Sequence, residues 1–501
     1  MKNKQNIKII TLIIIQVFLF TNLATAAEML SPYLNINSQV IQHAFFLKPE
    51  PVKGFSDISY SLRKLGYRSY QELTPEKLRT KVTYFRGGGD VPFDKKSTEF
   101  NPKRIKDPVR LKVVLPVIRH ILGNQGKILW QPGWMGRPDG VDIKLSTASL
   151  FLYTRDLLLK EGIIHDPDEM ILAPTNLDTN EVKSVYANID EVSVLVQKEL
   201  REKNKVQIIF LENPRMDPEY DKADPGIGEA LAKIVDLAVY DDFHQQHRPP
   251  TDITGLPNFV PAYVGDHMAE EIIKGEEVLK ILAEPDRGKF ILYIGGKKIE
   301  NKPGKISKVV VARDLILRNL MRNKNEDEIR IGGGVSYGFM IAKSFLNELK
   351  LFFDSQGKVQ DSQGLEKFMQ QNINLKVIKD LIGDSYIIDE NLKKEITLET
   401  EKGLKEAHSR IANFASLLVA AEAAGINVEI PKDYTICNKI TGEIKFNQTR
   451  IPRGWYGIDI GTETQQKYNN QQGARIVIIA GPMGIADDPK IPEGAVGTNV
   501  A

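Results

Sequence analysis

Three apolar runs in the first half of the chain each end in a segment that delivers an arginine. Ile128-Leu129-Trp130 leads into Gly133-Trp134-Met135-Gly136-Arg137-Pro138, and Phe210-Leu211 leads into Glu212-Asn213-Pro214-Arg215. Ala238-Val239-Tyr240 leads into Asp241-Asp242-Phe243-His244-Gln245-Gln246-His247-Arg248, while Arg110 stands at a predicted helix start. A guanidinium is a planar fork of donors that suits bidentate contact with phosphate or carboxylate. One such arginine is ordinarily a surface ion pair; three at equivalent strand ends predict a site for a small, multiply charged anion.

The second half repeats the arrangement with glycine and lysine. Tyr293-Ile294 runs into Gly295-Gly296-Lys297-Lys298 with Lys302 close behind, Ile329–Ile331 into Gly332-Gly333-Gly334, and Ile478-Ile479 into Ala480-Gly481-Pro482-Met483-Gly484. Glycine at a strand end lets backbone amides approach a phosphate, and a helix starting there adds a favourable field. Taken singly these turns only satisfy tight geometry; taken together they predict a nucleotide-phosphate lobe beside the arginine lobe.

Other chemistries are weaker. Asp241, Asp242, His244 and His247 have the composition of a metal site. No third histidine region stands at a recognisable spacing, so a polar loop is the favoured reading. No G-x-S-x-G elbow follows a strand, and Cys437, the single cysteine, has no evident partner base and no disulfide partner.

The elements that must position these residues alternate. Buried-strand patterns at Ile128–Trp130, Met170–Ala173, Val206–Leu211, Lys289–Ile294, Ile329–Ile331 and Arg475–Ile479 are separated by helical patterns such as Asn180–Glu202, Ala269–Ala283 and Glu401–Ala424. That order predicts an α/β protein with doubly wound parallel sheets. At 501 residues the chain exceeds what one core usually supports, predicting two domains or three. The expected boundaries are a lead at 27–80, a first lobe at 81–265, a hinge helix at 266–284 and a second lobe at 285–501, with an insertion near 354–389.

The formal charge of +2 owes three lysines to an acid-free stretch at the start, without which 64 basic residues face 65 acidic ones. A near-neutral body argues against nucleic-acid binding by a broad basic face. Residues 1–26 read as a secretory signal, with Lys2, Lys4 and Lys8, an apolar run from Ile9 to Phe20, and Ala24-Thr25-Ala26 before the expected cleavage point. An uncleaved anchor is the lesser reading. An exported or periplasmic protein without a stable membrane span is expected, or a cytoplasmic one if the start site is misassigned.

In order and approximate spacing, Leu73–Leu78, Arg86–Pro92, Asp107–Pro116, Gly136-Arg137-Pro138, Glu212–Arg215, His247-Arg248, Gly295–Lys298 with Lys302, Gly332–Gly334, Trp455–Gly461 and Gly481–Gly484 resemble phosphoglycerate kinase. The resemblance covers roughly residues 73–498. It implies two Rossmann-like lobes joined by a hinge, a monomer, 3-phosphoglycerate on the first lobe, ATP or ADP with Mg²⁺ on the second, and hinge closure between them. It implies substrate contacts from Arg110, Arg137, Arg215, Arg248 and Asp90, and catalytic roles for Lys298 and Arg110. Lys298, Lys302, Gly332, Gly333, Gly334, Gly481 and Asp487 would face the nucleotide, with Asp487 standing where the family has a glutamate near the ribose. Phosphoryl transfer is mostly positioning and charge neutralisation, which is what such residues supply.

The chain departs from the family's pattern at several points. The family's Arg-Val-Asp-Phe-Asn-Val-Pro appears as Arg86-Gly87-Gly88-Gly89-Asp90-Val91-Pro92, with Gly88 for the acid and Asp90 for the asparagine. Trp134 stands for the substrate-side histidine, and Ala480 for the asparagine before Gly-Pro-Met-Gly. The sequence ends at Ala501, just after Gly497-Thr498, where the family continues into a glycine-rich catalytic loop and a returning helix. That loss implies about 3–4 kcal/mol less transition-state stabilisation per missing donor. Two functions follow as expectations: a divergent kinase, or a catalytically impaired, exported binder of an anion or partner on the same scaffold. A misassigned gene boundary would remove much of the conflict between them. The lead at 27–72 is expected to pack on the first lobe where the family's last helix lies.

Overall fold

The computed structural model describes residues 8–11, 62, 65–202, 205–220, 225–246, 251–296, 308–385 and 398–484. Two compact units emerge, residues 16–277 and residues 278–501 together with 1–15. The division falls inside the helix Asp266–Ala283. Strands are numbered in chain order. The first, β1 (Lys8–Thr11), lies within the stretch read as a signal and pairs in parallel with Ile476–Ile479.

The first unit is built on a six-stranded sheet of β2 (Val82–Arg86), β3 (Lys127–Gln131), β4 (Met170–Ala173), β5 (Ile208–Leu211), β6 (Leu237–Tyr240) and β7 (Ala262–Val264). Its order is β4-β5-β3-β2-β6-β7 and every pairing is parallel. Successive side chains of a strand point to opposite faces, and both faces are covered here. Val82, Tyr84, Leu129, Ile209 and Tyr240 belong to one core, whereas Phe85, Ile128, Trp130, Phe210 and Val239 belong to the other. The same period of two places Arg86 on the core face of Val82 and Tyr84, where it is fully buried.

The described part of the lead packs on this unit. Leu62, Leu65 and Tyr67 join the first of those cores, Ser69 bridges Val264 in parallel, and Tyr70 Oη donates to Asp266 Oδ2 at 2.6 Å. The helical pattern at 180–202 begins later than the sequence indicates, at Ile189, and ends in a π-helical turn over Val196–Arg201. Asn176 accepts the amides of Asp178 and Thr179 through its side chain, and Asn180 is left-handed at φ 55°. This turn leaves Val185 and Tyr186 to enter the core before a helix can start.

The second unit carries β8 (Lys289–Ile294), β9 (Glu328–Ile331), β10 (Asn427–Glu429) and β14 (Ala474–Ala480) with β1 in the order β1-β14-β8-β9-β10, again parallel. A three-stranded antiparallel sheet of β11 (Tyr434–Asn438), β12 (Ile444–Gln448) and β13 (Trp455–Ile460) departs from the all-parallel expectation. Its turn at Asn438–Glu443 is closed by the Asn438 side chain, which accepts the amides of Ile440 and Thr441. The region near 354–389 folds into the helices Ser362–Asn372 and Leu375–Ile382, capped by Asp361 and Asn374. Among the described residues no helix is long and apolar enough to cross a membrane.

Candidate active site

In open parallel sheets the ligand-binding loops gather beyond the carboxyl ends of the strands. In the first unit β5, β3, β2 and β6 are consecutive neighbours, so the segments at 212–215, 133–138, 86–90 and 241–246 meet along one sheet edge. Their support is a buried polar network. Arg86 Nε lies 2.8 Å from Asp252 Oδ2, and Arg86 Nη2 donates to Gln245 Oε1 at 2.6 Å. Tyr84 and Tyr220 hydroxyls each donate to the Asp252 carboxylate at 2.7 Å, and Tyr240 donates to the Asp252 carbonyl at 2.5 Å. Burial alone would lower the Arg86 pKa; Asp252, with Tyr220 and Asp242, outweighs it and raises that pKa well above its ordinary value.

A second knot fixes the loop that carries Arg137. The buried Glu212 carboxylate accepts from Ser146 Oγ at 2.6 Å, Thr147 N at 2.5 Å, Thr147 Oγ1 at 2.9 Å, Thr175 Oγ1 at 2.7 Å and Asn213 N at 2.6 Å. Asn213 Nδ2 then donates to the carbonyls of Met135 and Leu145 at 2.8 and 2.9 Å. The loops after β3 and β5 are therefore bound to each other. Gly136, at φ 70°, makes the tight bend immediately before Arg137.

On this frame Arg137 is exposed and has no hydrogen bond or ion pair among the described residues. Arg215 sits over the Trp134 ring, 3.8 Å from guanidinium carbon to ring centre, and donates to the Gly136 carbonyl at 3.4 Å. Arg86 approaches the same ring at 5.4 Å, and the indole N–H donates to Tyr220 Oη at 3.3 Å. Arg110, on the helix Val109–Val113, is half exposed and bound to Asp90, whose carboxylate is also 3.4 Å from His244 Nε2. Burial pushes the Asp90 carboxyl up, yet His244 and Arg110 together hold it below the usual range.

The acids after β6 have protein partners, and His247 lies outside the described residues. Asp241 Oδ1 accepts the Met268 amide at 2.8 Å at the start of the helix Asp266–Ala283, while Asp242 Oδ1 accepts from Gln246 at 2.5 Å. Among the described residues no group of three metal-ligating side chains converges. Burial pushes the Asp241 carboxyl up to about 8, against the Met268 bond, and Asp266 and Asp242 push the same way. An unfolded aspartate ionises near 3.8, so across that window the folded chain keeps a proton the unfolded chain has released. Stability accordingly falls as pH rises from about 4 to about 8. Asp241→Asn, which can still accept from Met268, should match the wild type in urea unfolding at the acid end of that window and exceed it in stability at the alkaline end. A variant-to-wild-type difference independent of pH would refute the assignment.

In the second unit the glycine turns lie at the ends of three neighbouring strands, β14, β8 and β9. They are stitched to one another through the backbone. Gly296 N donates to the Pro482 carbonyl at 2.6 Å, Gly333 N to the Met483 carbonyl at 2.6 Å, and Gly332 N to the Ile294 carbonyl at 2.8 Å. A Cβ on Gly332 would sit 2.3 Å from Met483 Sδ, and one on Gly333 2.5 Å from Gly296 N, so side chains are excluded sterically. These three amides are engaged within the knot. What the glycines supply is close approach of the three turns, with Gly334 opening the helix Val335–Ser344 without a side-chain cap. Lys308, which the sequence did not single out, donates to the Gly295 carbonyl at 2.7 Å, and its Nζ lies beside Gly481.

A family model described as phosphoglycerate kinase matches residues 77–399 and 387–500. The chain belongs to the phosphoglycerate kinase family. Phosphoglycerate kinase 1 of the Arabidopsis thaliana chloroplast is 25% identical over 452 residues, covering 89% of this chain and 73% of that protein. The phosphoglycerate kinase of Thermus thermophilus is 25% identical over 404 residues, 79% of each chain. The crystal structure of phosphoglycerate kinase from Pyrococcus horikoshii OT3 matches with a TM-score of 0.52 at 20% identity, covering 84% of this chain and 82% of that one, and shows the fold.

Of the residues that the phosphoglycerate kinase resemblance points to, Arg137, Arg215 and Asp90 stand on strand-end segments of one sheet edge, and Arg110 on the helix Val109–Val113 is bound to Asp90. Gly332, Gly333, Gly334 and Gly481 gather in the second unit. Arg248, Lys298, Lys302 and Asp487 lie outside the described residues. Sequence reasoning passed over the Arg86–Asp252 pair, although an arginine two residues after Tyr84 in a strand was a legible sign of a buried cation needing a carboxylate. Asp252 itself, in Thr251-Asp252-Ile253-Thr254, carries no such sign.

Proposed function

We propose that the chain catalyses reversible phosphoryl transfer between 1,3-bisphosphoglycerate with ADP and 3-phosphoglycerate with ATP, the phosphoryl step of glycolysis. The observation that carries this reading is the arginine edge of the first unit, with Arg137 exposed and unengaged among the described residues and Arg215 over Trp134. Arg137 and Arg215 would hold the phosphate of the three-carbon acid, and Arg110 its carboxylate end. The indole face under Arg215 restrains its guanidinium through a cation–π contact. In the second unit the sterically closed glycine turns and the uncapped helix start fit a nucleotide phosphate chain, with Lys308 beside them. Mg²⁺ carried by the nucleotide would supply charge neutralisation at its phosphates.

A second reading, binding without turnover, is favoured by one observation: Asp90 already neutralises Arg110 at 2.9 Å. Export of the chain rests on the leader sequence alone. A coupled assay with 3-phosphoglycerate and Mg-ATP separates the two readings, with 1,3-bisphosphoglycerate and ADP formed together, and neither without the acid, as the result expected. Millimolar binding of 3-phosphoglycerate with no turnover would sink the kinase reading and leave the binder.

A further inference from the structure

Asp90 is a carboxylate set against Arg110, a cation that the proposed reaction needs for substrate. Its Oδ2 is 2.9 Å from Arg110 Nη1 and 3.4 Å from His244 Nε2, and Arg110 Nη1 also donates to the Asp90 carbonyl at 2.6 Å. The Asp90 and Arg110 side chains are each 45% exposed, so this pair stands where solvent and ligand reach it and is no buried structural bridge. Nor can Asp90 withdraw easily. Gly88 is left-handed at φ 85°, and the Gly89 amide is bound to the Pro132 carbonyl at 2.5 Å, with a Cβ on Gly89 falling 2.3 Å from that oxygen. The Gly87-Gly88-Gly89 turn thus presents Asp90 from a backbone pressed against the loop after β3.

We propose that Asp90 is a specificity-determining residue: its carboxylate competes with the carboxylate end of the substrate for Arg110, and so weakens the binding of acids ionised there relative to ligands that set a hydroxyl against it. The inference rests on the reading of this edge as the phosphoacid site. An incoming carboxylate must either displace Asp90 from Arg110 or lie beside it, and like charges at such separations are strongly unfavourable. A hydroxyl in the same place donates to Asp90 and leaves the Arg110 bond intact. An asparagine there would keep an acceptor and remove the repulsion.

The test is titration calorimetry on the full chain, using 3-phosphoglycerate and inorganic phosphate as probes, for the wild type, Asp90→Asn and Asp90→Glu. Asp90→Asn is expected to bind 3-phosphoglycerate at least about tenfold more tightly than the wild type, with a steeper loss of affinity on added salt because one more net cation is offered. Asp90→Glu is expected to return to the wild-type affinity. A gain of affinity is not what a damaged fold produces, so the result separates competition from a structural role. Equal or weaker binding by Asp90→Asn, with the wild type still binding 3-phosphoglycerate, overturns the inference and leaves the proposed function standing. If neither probe binds any of the three proteins, both fall together.

Discussion

Asp252→Ala is expected to lower the unfolding free energy by about 3–5 kcal/mol, the cost of removing one partner from a buried ion pair. Asp252 is fully buried, and its carboxylate is shared by Arg86 and the hydroxyls of Tyr84 and Tyr220. Alanine would strand a guanidinium that has no access to water and whose next carboxylate, Asp242, is 3.7 Å away. Burial raises the pKa of each of these tyrosines well above its ordinary value, so neither hydroxyl can supply an anion in its place. Denaturant unfolding of the variant measures the loss. The double variant Arg86→Met, Asp252→Ala should recover part of it, since an apolar side chain there carries no uncompensated charge. A loss below about 1 kcal/mol for the single variant would mean that Arg86 is satisfied without Asp252.

Arg137→Ala should do the opposite, weakening substrate binding while leaving the fold intact. Arg137 is exposed and makes no hydrogen bond or ion pair among the described residues, so its removal belongs with surface substitutions, within about 0.5 kcal/mol of the wild type. A hydrogen bond to a charged group contributes about 1.5–3 kcal/mol, which converts to roughly a ten- to 150-fold loss of 3-phosphoglycerate affinity. Arg137→Lys keeps the charge and loses the planar fork, and should fall between the two. Calorimetry for affinity and urea unfolding for stability check both halves. Unchanged affinity would remove Arg137 from the site, and a large loss of stability would assign it a structural role that the present geometry does not show.

These two expectations differ because of burial, and burial divides what was legible in advance. The arginine edge could be read from residue order, because a strand followed by a short polar segment places that segment at a sheet end whatever the rest of the chain does. Arg137 and Arg215 were found in that way, as were the glycine turns, and the ordered motifs carried the family. Trp134 was visible as a replacement, but its role under Arg215 was not, since stacking depends on a loop from β3 meeting one from β5. The antiparallel sheet β11–β13 was hidden because its pattern is short and its ends are closed by side chains of Asn438 and Asp433.

By itself the sequence determined the alternation of strands and helices, the two units and the residue types at each strand end, because these depend on local period and on which side chains avoid water. Only the tertiary structure decided what those residues touch. Strand order in the first sheet brings β5, β3, β2 and β6 side by side, and that adjacency sets Arg110 against Asp90, Arg215 against Trp134, and Glu212 among five donors. Strand ends distant in sequence become neighbours through the register of the sheet, a property of pairing that no single segment contains.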